Sequence, residues 1–317
     1  MANAVVTRAF FYGDSGGFFQ NLRDFLYRVG YRDSTTFSQL GEIAEALQNN
    51  IWPVIFLDSA GAEQFDSLGL LDRFYGTPGF ELVPFVVIGT EEDRKIKIYS
   101  KGIGARGFLL RPLRPLDATS LLKSLLSEQN EPWGSLALEV SKMLLLRNVD
   151  GARNGLIQLA ANPIVEKGAE VALLRGEILQ GQISRAEDRI VRLLKKFPND
   201  LRIHCEAIDY FRTTIQYAEA IRFLKEIEKT NVLPHRIWDR ACLSLEIDDL
   251  NGAFDAIEEL SKRESFRSCA SRGFVQMLLF MGLQDFVPYF LKGSPALGRE
   301  YAEYLVRIGK VNKGQQA

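Results

Sequence analysis

The chain has 317 residues, and its 39 basic and 40 acidic side chains leave a formal net charge of −1. This length predicts about two domains of ordinary size, and the balanced charge gives no electrostatic footprint for nucleic acid or an anionic membrane. Three cysteines without a CxxC pair, together with two histidines in separate segments, indicate neither a zinc site nor a disulfide framework.

Targeting and catalytic motifs are missing from the sequence. The first eight residues lack a charged region followed by a long apolar stretch, and no run of 18 apolar residues occurs. We therefore expect a cytoplasmic protein without membrane insertion. Hydrolytic triads, phosphate-binding glycine-rich loops and dinucleotide fingerprints are also absent, so we expect no enzymatic activity and no required cofactor.

The first 115 residues alternate short apolar runs with helical patterns. We predict strands near 8–12, 33–37, 53–57, 84–88 and 107–110. Apolar residues between 18 and 29 recur at helical spacing, and Gly30 is placed to end that helix in a left-handed cap. This alternation predicts an α/β domain with a flavodoxin-like parallel sheet of five strands in the order 2-1-3-4-5.

Three of the predicted strands deliver polar residues at their carboxyl ends. Asp14 follows the first strand, Asp58 the third, and Arg111-Pro112 the fifth. Ligands of open parallel sheets collect at this edge, so we expect the three segments to form a site. Two interpretations stay open from the residues alone: Asp14 can cap the following helix, and Arg111-Pro112 can be a turn with a solvated arginine.

These segments, in this order and spacing, resemble a response-regulator receiver domain. The resemblance implies that Asp58 is the phosphoacceptor and that Asp14, with Asp58, is a weak Mg²⁺ candidate. It places Arg111 where the family has a phosphate-contacting lysine, with a cis Arg111-Pro112 peptide. It places Gly89, with Thr90 one step later, where the family has a hydroxyl, and Phe108 at the aromatic switch position.

The match departs from the family at three places. One carboxylate of the acidic pair is replaced by Gly13, the hydroxyl by Gly89, and the lysine by Arg111. Because phosphoryl transfer depends on positioning and electrostatic stabilisation, these losses favour a degenerate receiver, or pseudo-receiver, that binds proteins. The alternative is a working response regulator in a phosphorelay, in which Asp58 takes phosphate from a histidine kinase or phosphotransfer protein.

From about residue 131 a repeat of helical hairpins is predicted. Small or apolar residues recur 34, 34, 33 and 34 positions apart, at Ala152, Ala186, Ala220, Ala253 and Val287. The pattern resembles tetratricopeptide (TPR) repeats, with a capping helix at 296–308. We predict a receiver-like domain at 1–127, a linker at 128–132, an all-α TPR-like repeat domain at 133–308 and a flexible tail at 309–317.

Repeats of this kind bind peptides or proteins in a groove lined by the first helix of each hairpin. The residues that we predict to line it are Arg175, His204, Arg212, Arg236, Trp238 and Arg240. Another interpretation is that the arginines form a solvated face and that Trp238 packs between hairpins. We therefore expect a signalling adaptor that docks one protein on each region, and the receiver resemblance implies a bacterial source. A homodimer through the receiver-like domain is a further alternative.

Overall fold

The computed structural model describes residues 8–13, 17–49, 53–59, 67–129, 131–230 and 234–261. Predictions for Asp14, Val287, the capping helix at 296–308 and the tail at 309–317 lie outside the described residues. In the described part of the chain, no helix is long and apolar enough to cross a membrane.

A five-stranded parallel sheet forms the centre of the N-terminal region. Its strands are β1 (Arg8–Tyr12), β2 (Asp33–Phe37), β3 (Pro53–Asp58), β4 (Phe85–Gly89) and β5 (Gly107–Leu110), in the order β2-β1-β3-β4-β5. The predicted α/β flavodoxin-like topology is confirmed. All six residues of β3 are buried, as expected of a central strand covered on both faces.

Four α-helices and one 3-10 helix connect these strands, and a fifth α-helix follows β5. They are α1 (Gly17–Val29), α2 (Leu40–Gln48), α3 (Ser67–Gly76), the 3-10 helix Phe80–Leu82, α4 (Arg94–Gly102) and α5 (Pro115–Gln129). Helices α1 and α5 pack against each other and share a core with the sheet that includes Phe11, Phe56 and Leu122. Gly30 ends α1 at a φ of 121°, which confirms the predicted left-handed cap.

Eight helices follow in the described part of the chain. They are α6 (Pro132–Leu145), α7 (Val149–Leu159), α8 (Glu166–Leu179), α9 (Ile183–Lys196), α10 (Leu201–Thr213), α11 (Tyr217–Thr230), α12 (Pro234–Glu246) and α13 (Leu250–Ser261). The repeat positions Ala152, Ala186, Ala220 and Ala253 are all fully buried on α7, α9, α11 and α13. A helical repeat therefore follows the sheet, and its assignment as tetratricopeptide stays a prediction.

A residue in the left-handed conformation recurs in every described repeat. Five positions before each buried alanine the backbone has a positive φ, at Arg147 (58°), Gly181 (67°), Ile215 (59°) and Asp248 (59°). This residue lies in the short turn between the two helices of a repeat. The periodicity in the sequence is therefore matched by a periodicity in backbone conformation.

The chain groups into two compact units, residues 1–214 and 215–317. In the first unit the sheet and its helices belong together with α6 to α10, and both α6 and α8 pack against the 3-10 helix Phe80–Leu82. In the second unit α12 packs against α11 and α13. The domain bounds predicted at 1–127 and 133–308 stay predictions.

Candidate functional site

The carboxyl edge of the sheet brings the predicted site residues together. Asp58 is the last residue of β3, Gly89 the last of β4, and Arg111 directly follows β5. Backbone pairing continues past the strand ends, because the Ser59 amide donates to the Ile88 carbonyl at 2.9 Å and the Arg111 amide to the Gly89 carbonyl at 2.8 Å. These two hydrogen bonds fix the backbone on either side of the site.

Asp58 and Arg111 form a buried ion pair at this edge. The Asp58 side chain has no exposed surface, and its Oδ2 is paired with Nη2 of Arg111. The guanidinium also lies over the ring of Phe18, 4.9 Å from the ring centre, which holds its plane in place. The Arg111-Pro112 peptide is cis, as the receiver resemblance implies. Arg111 is thus a partner of Asp58 and not a solvated turn residue.

Gly13 lies where the receiver resemblance implies a second carboxylate. Its φ is 106°, a conformation that side chains other than glycine rarely adopt, and a Cβ on it would lie 3.0 Å from the Cβ of Asp58. A second carboxylate at this position would therefore need both a different backbone conformation and a different approach to Asp58. The backbone at Gly13 therefore does not suit the second carboxylate that the receiver resemblance implies at this position.

The space beside Gly89 is filled by neighbouring side chains. A Cβ on Gly89 would lie 2.5 Å from Cζ of Phe108, 2.8 Å from Oδ2 of Asp93 and 2.9 Å from Oγ of Ser59. A hydroxyl residue at position 89 would have no room in this arrangement. Phe108 therefore occupies the volume next to the strand end where the receiver resemblance places a hydroxyl.

Thr90 is engaged by Asp93 in the loop after β4. The Thr90 amide and hydroxyl donate to Oδ2 of Asp93 at 2.7 Å and 3.0 Å, and the Ser59 hydroxyl donates to the same oxygen at 3.4 Å. Asp93 directly precedes α4, so this cluster ties the start of that helix to the ends of β3 and β4. The Thr90 hydroxyl is thereby directed to Asp93.

The described residues at this edge do not fit Mg²⁺. Mg²⁺ is usually held by one or two carboxylates together with water and phosphate oxygens. The described residues offer Asp93, whose Oδ2 already accepts hydrogen bonds from Thr90 and Ser59, and Asp58, whose carboxylate is already paired with the guanidinium of Arg111. A cation in contact with that carboxylate opposes a second, divalent cation by direct repulsion. Asp14, the other predicted ligand, lies outside the described residues.

The solved structures that resemble this chain include the following three. A protein described as a response regulator from Chloroflexus aurantiacus J-10-fl is 19% identical, with 39% of this chain and 99% of that chain covered and a TM-score of 0.34. The N-terminal receiver domain of a Bacteroides fragilis response regulator is 15% identical, and the match covers 38% of this chain and 95% of that domain with a TM-score of 0.32. Full-length FixJ from B. japonicum is 14% identical, and the match covers 71% of this chain and 98% of FixJ with a TM-score of 0.32. No family model and no curated protein matches the sequence.

A second cluster of charged groups lies where the sheet region meets the hairpins of the first unit. Arg175 on α8 donates to Oε1 of Glu206 on α10, from Nε at 3.1 Å and from Nη2 at 2.5 Å. The same guanidinium reaches Oε1 of Glu81, in the 3-10 helix, at 3.3 Å. The Tyr75 hydroxyl completes the cluster by donating to Glu206 at 2.7 Å. We call these four residues the junction cluster.

Burial governs the protonation of the junction cluster. It raises the pKa of Glu81 above its ordinary value, and it raises the pKa of Tyr75, to which the neighbouring Glu206 adds. Burial alone would lower the pKa of Arg175, but Glu206 and Glu81 outweigh it and raise that pKa well above its ordinary value. Arg175 therefore stays a cation, and two carboxylates share its charge.

The other predicted groove residues lie in separate surroundings. On α12, Arg240 pairs with Glu228 at 2.8 Å and with Glu259 at 3.3 Å, and Arg236 pairs with Asp239 at 3.1 Å. Both arginines are buried, while Trp238 is half-buried. On α10, His204 is half-buried and Arg212 lies 3.7 Å from Asp209. Their role in binding a partner stays a prediction.

Several residues of the two clusters carry no motif in the sequence. Phe18 belongs there to a plain helical pattern, and nothing in the sequence pattern assigns Ser59 or Asp93 to the site. Glu81 does carry a local signal, since it is a lone carboxylate inside the apolar run Phe80–Ile88. Such a residue in a buried segment needs a partner, and that requirement points to a buried cation elsewhere. Tyr75 and Glu206 contact Arg175, the partner of Glu81, and have no comparable signal.

Proposed function

We propose that this chain is a non-enzymatic signalling adaptor, in which the receiver-like module is a protein-docking surface and the helical hairpins dock a second protein. The observation that carries the proposal is the Asp58 carboxylate, which is fully buried and paired with the guanidinium of Arg111. A phosphoacceptor has to present an oxygen to an incoming phosphoryl group in line with its leaving group. A buried oxygen in an ion pair is not available in that geometry.

The surroundings of Asp58 also oppose a phosphorylation-dependent change of packing. A phosphoryl group on Asp58 would need a nearby hydroxyl that binds it and thereby changes the packing. Gly89 has no side chain, and Phe108 fills the space beside it. The hydroxyl of Thr90 is engaged with Asp93. The residues around Asp58 therefore favour a single conformation. Such a conformation suits a surface that a partner protein binds without prior phosphorylation.

A working response regulator is the second candidate. It is favoured by the retention of Asp58 at the end of β3, next to a cation that follows β5. In that case Arg111 would have to release the carboxylate and then contact the phosphoryl oxygens, for which a guanidinium is well suited. A histidine kinase or a phosphotransfer protein would supply the phosphoryl group.

One titration separates the two candidates. The full-length chain is treated with Mg²⁺ and either acetyl phosphate or beryllofluoride, and intact mass and amide NMR spectra are recorded for the wild type and for Asp58→Asn. We expect no added mass and no saturable spectral change in either protein at millimolar ligand. A saturable, Mg²⁺-dependent change in the wild type that Asp58→Asn abolishes would overturn the adaptor proposal in favour of the response regulator.

A further inference from the structure

The first helices of the hairpins in the first unit carry a surface that a single segment of the receiver-like module covers. Tyr75–Leu82 runs from the end of α3 through the 3-10 helix. At Gly79 an added Cβ would lie 2.6 Å from the Ser141 carbonyl on α6, and at Gly168 on α8 it would clash with the Glu81 carbonyl. The Tyr75 hydroxyl meets Glu206 on α10, so one segment touches all three helices.

The recognition chemistry is that of a bound peptide. Arg175 lies over the Tyr75 ring at 5.0 Å from its centre, and its Nη1 donates to the Tyr75 carbonyl and to Glu81 Oε1, each at 3.3 Å. The Tyr75 hydroxyl lies 2.7 Å from Glu206 Oε1 and 3.1 Å from the Arg202 carbonyl. Helices α8 and α10 therefore bind three groups of the segment Tyr75–Leu82: an aromatic hydroxyl, a main-chain carbonyl and a carboxylate.

Close backbone approach is the second mark of a fitted surface. Gly79, at a φ of 91°, lets the chain turn tightly between Tyr75 and Glu81 while it contacts the main chain of α6. Gly168 provides the matching gap on α8. A larger residue at either position would separate the two surfaces, so the fit depends on glycine on both sides of the contact.

We propose that α6, α8 and α10 form a peptide-binding surface whose resident ligand is Tyr75–Leu82 of the same chain. The surface recognises a short segment that presents a tyrosine hydroxyl and, across a glycine turn, a glutamate. The proposal deepens the docking role proposed for the hairpins and depends on it, but it does not depend on the state of Asp58. It also accounts for Arg175, which the sequence analysis placed in the partner groove.

Occupation by a covalently attached segment has a regulatory consequence. A tethered ligand acts at an effective concentration in the millimolar range, so a contact that is weak between separate molecules is nearly saturated within one chain. A protein that carries the same chemistry has to displace Tyr75–Leu82 before it can bind. The receiver-like module thereby controls access to this part of the hairpins.

The test uses full-length protein and a synthetic peptide of residues 73–83, RFYGTPGFELV, with a fluorescent label. In Glu81→Arg a second guanidinium faces Arg175, which should release the resident segment and leave the hairpin surface intact. We expect the labelled peptide to bind this variant at least about tenfold more tightly than the wild type. A peptide with arginine in place of its glutamate should not bind either protein. Equal binding of the wild-type peptide to both proteins would overturn the proposal.

Two further variants separate release of the segment from loss of the fold. Adding Arg175→Ala to Glu81→Arg should abolish peptide binding, because the cation that reads the tyrosine and the glutamate is gone. Glu81→Ala removes the attraction without adding a charge, and its fold is followed by circular dichroism and by amide exchange in β3 and β4. Loss of the native fold in both Glu81 variants would show that the segment is an obligate core and would overturn the proposal. Persistence of binding after Arg175→Ala would do the same.

Discussion

At the scale of single residues, Arg111 is the group on which the Asp58 site depends. The Asp58 side chain is fully buried, whereas 23% of the Arg111 side chain is exposed. Loss of Arg111 would leave a buried carboxylate without its cation, while loss of the Asp58 charge would leave an arginine that can turn towards water. The two halves of the pair should therefore differ in their effect on stability.

We expect Arg111→Ala to lower the free energy of unfolding by about 3 kcal/mol, because it removes the cation next to a buried carboxylate. Asp58→Asn should cost less, about 1 kcal/mol. Urea unfolding monitored by fluorescence measures both. The matched control is Arg114→Ala, which breaks an exposed ion pair with Glu91 and should cost less than about 1 kcal/mol. Equal losses for Arg111→Ala and Arg114→Ala would contradict the assignment of a buried pair.

Glu81 gives a pH-dependent prediction of known sign. Burial raises its pKa in the folded state, and the adjacent guanidinium of Arg175 offsets only part of that rise. A carboxyl with a raised folded pKa contributes stability that is present below its unfolded pKa of about 4.3 and is lost as the pH rises through the folded value. The groups that face it are Arg175 on α8, Glu206 on α10 and the neighbouring backbone.

We therefore expect Glu81→Gln to gain stability relative to the wild type as the pH is raised from about 4.3. Melting temperatures of both proteins between pH 4 and 8 measure the difference. Glu42→Gln is the control of opposite sign, because backbone hydrogen bonds from Gln39 and Ser38 lower the pKa of Glu42. The wild type should therefore be more stable than Glu42→Gln at neutral pH, and this difference in stability should disappear as the pH falls. A difference between Glu81→Gln and the wild type that is independent of pH would refute this assignment.

At the scale of elements, the turns within the repeats carry a conformational cost. Each described repeat places one residue at a positive φ, but only the second repeat uses glycine there. Ile215 is the most unfavourable of the others, because a β-branched side chain rarely adopts the left-handed region. The repeat geometry thus imposes this conformation on residues that do not favour it.

We predict that Ile215→Gly raises the free energy of unfolding of the second unit by about 1 kcal/mol, because glycine removes the steric cost and Ile215 is 73% exposed. Gly181→Ala, the reverse change at the equivalent turn, should destabilise the first unit by a similar amount. Guanidinium denaturation followed by far-ultraviolet circular dichroism tests both. Destabilisation by Ile215→Gly would mean that the isoleucine side chain makes a contact that outweighs the backbone cost.

The elements show which features the sequence could predict. The strands and the cap at Gly30 follow from local apolar periodicity and glycine placement. The strand order follows from the alternation of strands and helices along the chain, and the buried alanines follow from the repeat of about 34 residues. The pairing of Glu81 with Arg175 was not predictable in this way, because 94 residues separate the two and no local pattern links them. The filling of the Gly89 site by Phe108 likewise depends on packing between neighbouring strands.

At the scale of the whole molecule, the parallel sheet and the helical hairpins of the first unit contact each other at the edge of the sheet opposite Asp58. Tyr75 and Glu81 precede β4, and Gly104 precedes β5, so the residues that meet α8 and α10 lie at the amino ends of these strands. Asp58 and Arg111 lie at the carboxyl ends. The hairpins of the first unit therefore contact the edge of the sheet opposite to the edge that carries Asp58 and Arg111.

A substitution at Gly168 tests whether the contact between α8 and the 3-10 helix stabilises the hydrogen bonds of that segment. In a solvent-exposed helix Gly→Ala stabilises by about 1 kcal/mol, but at Gly168 the added methyl group would meet the Glu81 carbonyl. We expect Gly168→Ala to accelerate amide exchange at Val83, which directly follows the segment Tyr75–Leu82 and whose amide donates to the Phe80 carbonyl at 3.1 Å. Gly176→Ala on the same helix is the matched control, since its methyl group would meet the Val149 side chain of α7. If both variants change Val83 exchange to the same extent, the effect arises from general destabilisation of α8; a change confined to Gly168→Ala locates it at the contact with Glu81.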